Sequence, residues 1–298
     1  MTTEVPPAAP DQLVAVPVRH WGRWIGALVA LAVLVLLVRA FAGADIHYRV
    51  TRQYFTADVI LRGVWHTLLI SVLAQAMGIG LGVLAAVMRQ SPNPVMSGIG
   101  WFYVWLFRGT PLLLQLILWF NLSTLFPTLS IPGIWHADTN TAITPFVAAL
   151  LGLGINEGAY MAEIVRAGIG SVDSGQTEAA QALGMTQGLT LRRVVLPQAM
   201  RVIIPPTGNE FVNMLKSSSL ASAAQYTELL RVTQTTYTSN FEIMPMLFVA
   251  SLWYLILTSI FGIGQYFLER RFARGSQRTL PPTPLQRLVS AVVPGHRR

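Results

Sequence analysis

Between Arg62 and Arg89 the chain runs for 26 residues without a formal charge. A helix that faces water on one side interleaves charged positions among apolar ones. A helix surrounded by lipid needs about 20 consecutive, mostly apolar residues and tolerates few charges. The whole chain leans the same way, with 53% hydrophobic residues, 11% charged residues and a mean hydropathy of +0.51. Soluble domains carry roughly a quarter charged residues, so a soluble globular, disordered or coiled-coil chain is excluded. The sequence has no Cys, which removes disulfides and thiolate metal ligands. Its five His are scattered and form no H-E-x-x-H, so neither a metal nor a cofactor is expected.

Six segments are expected to span the bilayer, giving an all-α integral membrane fold: 22–42, 62–88, 103–126, 145–167, 198–221 and 245–268. Aromatic residues near their ends (Trp21, Trp24, Trp65, Trp101, Tyr103, Tyr266, Phe267) resemble interfacial anchors. With the N-terminus inside, the inner segments hold 14 Arg and the outer loops hold Arg49, Arg52 and Arg231. That bias places both termini in the cytoplasm. The basic residues flank apolar runs and form no stripe, so the partner of the +8 charge is an anionic lipid surface rather than nucleic acid.

The first span has a second reading. Arg19 and Arg23, an apolar run and Ala40-Phe41-Ala42-Gly43-Ala44 also suit a cleaved signal peptide, although Arg39 interrupts the site. Residues 1–21 and 275–298 are polar and Pro-rich, as flexible cytoplasmic tails are.

The inner loop 168–197 has explicit helix boundaries. Asp173 or Ser174 suits an N-cap, and Gln176 follows Asp173 at capping-box spacing. Glu178 falls in the first turns, where the helix dipole favours an anion. Ala179, Ala180, Gln181, Ala182 and Leu183 are good helix formers, and Gly184 offers a left-handed stop. A second short element, 186–195, is expected before Pro197 opens the next span. From these residues alone, an ordinary amphipathic connector and a helix that inserts into a partner's groove both stand.

Glu178-Ala179-Ala180, three residues, Gly184, nine residues, Val194, one residue and Leu196-Pro197 resemble the EAA loop of bacterial ABC-importer permeases, with Val194 where Ile is usual. Four further stretches are similar to the polar amino acid permease family of the histidine/glutamine type. They are Arg108-Gly109-Thr110-Pro111-Leu112-Leu113, Gly158 to Glu163, Val165 to Ile169, and Leu215-Lys216-Ser217-Ser218-Ser219-Leu220. The resemblance covers 58–270. It implies one N-terminal helix followed by a five-helix importer-permease core, and a cytoplasmic coupling helix in the 173–190 loop that docks on a separate ATPase. That role falls on Asp173, Glu178, Ala179, Ala180 and Gly184. The implied partners are two ABC ATPase subunits, a second permease chain (identical or related), an external solute-binding protein and an amino acid substrate. The chain itself lacks G-x-x-x-x-G-K-[ST], and its one Lys, Lys216, follows Leu215 inside a span, so it is not expected to be an enzyme.

Span five carries Asn209, Glu210, Asn213 and Lys216, where each charge costs about 2.5–3.5 kcal/mol at mid-bilayer on insertion scales. Pro205-Pro206 opens backbone hydrogen bonding just before them. In span four Asn156, Tyr160 and Glu163 share a face with Glu157 beside it, and antiparallel packing would bring Glu157 and Glu210 to similar depth. Either these groups line a path for a zwitterion, with Lys216 facing its carboxylate and a Glu its ammonium, or Lys216 pairs with a carboxylate and the Asn residues hold helices together. Arg108, Gly109 and Pro111 read as a structural elbow, and Gly78 and Gly82 as a site of close helix packing. An ion-driven transporter using Glu157 and Glu210 is a rival reading that leaves the capped inner loop unexplained. A membrane enzyme is another, and no nucleophile–base set supports it.

Overall fold

The computed structural model describes residues 21–131 and 135–272. The expected tails therefore fall outside the described residues, save Trp21. Two compact units divide at Ile46–His47.

The first unit holds α1 (Trp21–Ala42). Its large side chains are exposed all round, Trp24 at 73% and Leu28 at 65%, and the helix runs unbroken past Arg39. A helix apolar on every side and long enough to cross a bilayer suits a lipid surrounding.

The second unit begins with α2 (Tyr48–Phe55) and the long α3 (Asp58–Arg89), followed by α4 (Pro94–Gly109), α5 (Leu112–Phe120) and α6 (Leu122–Leu125). A hairpin of β1 (Thr128–Ile131) and β2 (Trp135–Asp138) pairs Thr128 with Asp138, and α7 (Thr139–Ala142) leads into α8 (Pro145–Gly170). Then come α9 (Ser174–Ala182), α10 (Gln187–Thr190), a π-helical turn at Leu191–Val195, and α11 (Leu196–Ser217). A 3-10 stretch (Ser218–Ala224), α12 (Leu229–Asn240) and α13 (Ile243–Phe272) complete it.

Trp24–Ala42, α3 and α13 are long and apolar enough to cross a membrane, as is the α4–α5 pair if counted as one broken span. The 26-residue α8 and 22-residue α11 match the expected fourth and fifth spans in length, and their polar side chains keep them below that hydropathy. The third span is a correction. In place of a helix over 103–126, α4 starts at Pro94, capped by the Asn93 side chain on the Val95 amide (2.9 Å), and ends at Gly109. The chain then turns by 101° into α5. A Pro at helix position N1 loses nothing, which is why Pro94 begins a helix rather than preventing one.

α3 is the axis of this unit. At one end Ile60 and Val64 pack with Leu229, Val232, Met246 and Val249. In the middle Ile70 and Ala74 meet Leu116, Leu153 and Met214, and at the far end Ala86 meets Met161, Val165, Ala199 and Ile203. The α3–α8 seam is as close as Gly78 and Gly82 imply. A Cβ on Gly78 would lie 2.4 Å from Glu157 Cγ, and one on Gly82 would lie 2.4 Å from Met161 Cβ. Glycines one turn apart let the backbones approach where lipid gives no hydrophobic drive to associate.

α11 continues through Pro205 and Pro206 without ending. The Gln265 side chain of α13 donates to the Pro205 carbonyl at 2.6 Å, and only the missing side chain of Gly208 leaves room for it. Pro205 and Pro206 cannot donate to the Arg201 and Val202 carbonyls, and the bond from Gln265 ties this weakened stretch of α11 to α13. Tyr103 is no interfacial anchor: it turns inward and donates to the Ile155 carbonyl at 2.7 Å.

Candidate functional site

The expected loop helix is present as α9. Asp173 accepts from the Gly175 amide (2.8 Å), and no reciprocal bond from the Gln176 side chain completes a capping box. Glu178 lies in the second turn of α9, beyond the first-turn amides. At the other end Gly184 adopts φ +81°, its amide bonds to the Gln181 carbonyl (2.9 Å), and the Met185 amide bonds to the Ala180 carbonyl (3.1 Å). That pair of bonds around a left-handed residue is the Schellman stop, which a Cβ-bearing residue would strain. Glu178, Ala179 and Gly184 are exposed and Leu183 is 84% exposed, whereas Ala180 is buried. Ala180 therefore serves close packing inside the chain, and its neighbours form the free face. The expected element at 186–195 is α10 plus the π-helical turn, continuous with α11, and Pro197 sits in that helix's first turn.

The elbow after α4 is a hydrogen-bonded structure. Gln115 Nε2 donates to the Phe107 carbonyl (3.0 Å) and to the Thr110 carbonyl and hydroxyl (3.1 and 2.8 Å). Thr110 Oγ1 donates to the Leu106 carbonyl at 2.9 Å. Asn156 of α8 donates to the Phe107 carbonyl (2.8 Å) and to Gln115 Oε1 (3.3 Å), fastening α8 to the bend. Pro111 caps α5, and Gly109 closes α4 with open space around it. Backbone carbonyls opened by a sharp turn inside a membrane need such partners. Arg108 makes none of these bonds.

A cavity of about 270 Å³ lies between α5, α8 and α11. It gathers five of the seven substrate-path candidates, Asn156, Glu157, Tyr160, Glu210 and Asn213. Glu157 and Glu210 thus face one space, as antiparallel packing of α8 and α11 implies. Asn209 and Lys216 are exposed and do not line it. Lys216 makes no ion pair among the described residues and sits in the last turn of α11, where the dipole favours a cation. Glu157 is 5% exposed and accepts a hydrogen bond from Gln75 Nε2 at 3.1 Å. A larger cavity of about 680 Å³ between α3, α8, α11 and α13 is bounded almost wholly by apolar side chains and carries no charged residue.

Beside the first cavity, Glu163 holds three arginines. Arg166 bonds Oε2 through Nε and Nη2 (2.9 and 2.7 Å), Arg89 bonds Oε1, and Arg108 stands 3.7 Å from Oε1 with its guanidinium 5.1 Å above the Tyr160 ring. Arg89, Arg108, Tyr160 and Glu163 line a second cavity of about 430 Å³ with Trp101 and Trp105.

Sequence reasoning missed Gln75 and Gln115, whose partners lie 82 and 41 residues away, Glu157 and Asn156 respectively. It also missed Glu228. This fully buried carboxylate caps α12 by accepting from the Leu230 and Arg231 amides (2.8 and 2.7 Å), and it accepts from Tyr254 Oη at 2.6 Å. No cap signal marked it, since N-caps are ordinarily Ser, Thr, Asp or Asn.

Residues 78–274 match the family described as the binding-protein-dependent transport system inner membrane component. The arginine transport system permease protein ArgU of Corynebacterium glutamicum is 44% identical over 97% of this chain and 93% of its own length. The L-cystine transport system permease protein TcyB of Bacillus subtilis is 35% identical over 78% of this chain and 94% of its own. Among solved structures, an amino acid ABC transporter crystallised with histidines superposes with a TM-score of 0.67 at 32% identity, covering 76% of this chain and 100% of that one.

Proposed function

The chain belongs to the inner-membrane components of binding-protein-dependent transport systems, and we propose that it is the membrane subunit of an ATP-driven importer of polar amino acids, coupled to separate ATPase subunits through α9. It is a multi-pass bacterial membrane protein and a permease subunit, not itself an ATPase. The relatives' substrates, arginine and cystine, support the substrate class. The observation that carries the coupling is the α9 loop. A nine-residue helix is fixed at both ends, by Asp173 and by the Gly184 stop, and it presents Glu178, Ala179 and an 84% exposed Leu183 outward. An apolar side chain held that far out on a rigid lever suits a groove on a partner.

In this reading both termini and α9 lie in the cytoplasm, as the Arg bias supports. Two ATPase subunits clamp the α9 loops of two permease chains, identical or related. A solute-binding protein delivers substrate to the outer segments 43–60, 124–144 and 222–244, the last including α12. Closure of the nucleotide-loaded ATPase pair moves α9 and shifts the permease between two states, inward-open and outward-open. The path runs along the polar faces of α8 and α11, where Asn156, Glu157, Tyr160, Glu210 and Asn213 meet.

The test is co-purification and uptake with Glu178→Arg and Gly184→Val. Both variants are expected to insert into the membrane, to lose most bound ATPase and to fall at least tenfold in ATP-driven amino acid uptake. Normal co-purification with normal uptake in both would remove the coupling role.

A further inference from the structure

The cavity beside Glu163 holds more positive charge than negative. Glu163 is the one carboxylate that lines it among the described residues, and three guanidiniums share that carboxylate. Arg89 bonds Oε1 and Arg166 bonds Oε2, which ties α3 to α8. Arg108 adds an ion pair to Oε1 at 3.7 Å, a separation too long for a hydrogen bond, and lies over the Tyr160 ring. Three cations around one anion leave the cluster with a net charge of +2. The side chains of Arg89 and Glu163 are only 18% and 22% exposed, so water disperses little of that excess. A further anion is therefore favoured there. Arg108 keeps N–H donors for it, in the planar fork that suits a phosphate or a carboxylate.

The walls of the cavity narrow the choice. Trp101 and Trp105 of α4 line it, stacked at 5.9 Å with their planes 9° apart, and both are more than half exposed. Val95, Ile99 and Phe102 are exposed beside them on the same helix. On a spanning helix such a face meets acyl chains, and Trp gathers where chains give way to headgroups. The cluster stands near one end of the bundle, since Arg89 is the last residue of α3 and Arg166 lies four residues before the end of α8. A free inorganic anion would answer the charge and leave the indoles uncovered. An amphiphile with a phosphodiester head and an acyl chain answers both. A zwitterionic lipid brings its own cation to a cluster already positive, so the head that fits carries net negative charge.

We propose that the cavity between α3, α4 and α8 is a binding site for an anionic phospholipid such as phosphatidylglycerol, its phosphodiester received by Arg108 and Arg89 and its acyl region laid against Trp101 and Trp105. Which leaflet supplies the lipid follows from the side on which α9 lies. The binding itself needs neither that orientation nor the importer reading.

The test is native mass spectrometry of the full-length chain, purified as it assembles in the membrane and released from nanodiscs holding phosphatidylglycerol and phosphatidylcholine in equal amounts. Phosphatidylglycerol is expected to be retained at least about fivefold over phosphatidylcholine. Arg108→Gln is expected to remove most of that preference. Arg108→Lys is expected to keep part of it, because a point charge replaces the fork. Arg271→Gln, at an exposed cation in the last turn of α13, is expected to keep all of it. Thermal unfolding gives a second readout: phosphatidylglycerol in place of phosphatidylcholine is expected to raise the unfolding temperature of the unaltered protein and not that of Arg108→Gln. Equal retention of the two lipids by the unaltered protein overturns the site. So does a preference that survives Arg108→Gln, or one that Arg271→Gln lowers as far. Displacement of the lipid by inorganic phosphate would reveal a small-anion site and overturn the lipid assignment.

Discussion

Asn156 and Glu157 are neighbours on α8 and both are buried, at 8% and 5% exposure, yet their surroundings differ in kind. Asn156 gives its amide to the Phe107 carbonyl and to Gln115, and so closes a network that spans α4, α5 and α8. Glu157 receives a hydrogen bond from Gln75 and turns toward a cavity it shares with a second carboxylate. A buried polar group whose partners are all present fixes structure, while a buried charge without its counter-ion is held in place by the rest of the fold. α8 thus carries a closed hydrogen-bond network at Asn156 and, one residue on, a carboxylate that faces a cavity shared with Glu210.

The comparison depends on α3 holding α8 in position, so the largest effect should come from their seam. Gly82→Ala places a Cβ 2.4 Å from Met161 Cβ and 2.9 Å from the Ala162 amide nitrogen, which neither backbone can yield without the helices moving apart. Overpacking of this kind costs about 3 kcal/mol. Thermal unfolding in nanodiscs is expected to show a large loss, and Gly80→Ala, with nothing within 4 Å, to show none. Equal behaviour of the two variants would mean that the seam is not what positions Asn156 and Glu157.

Next in size is the glue itself. Asn156→Leu removes two hydrogen bonds and leaves the Phe107 carbonyl with Gln115 Nε2 alone. The expected loss is about 2 kcal/mol of stability, the range for unsatisfied buried polar groups. An unchanged unfolding temperature would mean that these bonds do not fasten α8 to the bend.

How much of this was legible follows from the range of the interactions. The α9 boundaries at Asp173 and Gly184, the close approach at Gly78 and Gly82 and the elbow at Pro111 are written in residues adjacent to their effects, and the structure bears them out. The elbow at Arg108-Gly109-Thr110-Pro111 was readable, but its 101° angle was not, because the hydrogen bonds that hold it come from Gln115 and from Asn156 of another helix. The β1–β2 hairpin was missed although Thr128–Ile131 and Trp135–Asp138 both alternate apolar and polar residues, because strands of four residues sit at the lower limit of that signal. In the site, helical spacing put Asn156, Tyr160 and Glu163 on one face with Glu157 beside it, and antiparallel packing put Glu157 and Glu210 at similar depth. It could not show that Asn156 is answered and Glu157 is not, since that depends on Gln115 and Gln75 from other helices. Lys216 illustrates the limit: its place beside Asn209, Glu210 and Asn213 in span five suggested a role in the path, yet it is exposed in the last turn of α11 and does not line the cavity.

The smallest expected effect on stability is the most telling one. Glu157→Leu keeps the side-chain volume roughly constant, removes a carboxylate whose burial is compensated by a single amide donor, and frees Gln75 Nε2. If the carboxylate were part of the scaffold, its loss would cost as much as that of Asn156. If it serves the path instead, the fold carries its desolvation as a standing penalty, and replacing it with an apolar residue is neutral or stabilising by about 1 kcal/mol. The orphaned Gln75 amide offsets part of that gain, so the net shift in unfolding temperature should be close to zero and not negative, while ATP-driven amino acid uptake falls at least tenfold. A drop in stability matching that of Asn156→Leu would erase the distinction between the two neighbours, and with it the reason to place the path on this face of α8.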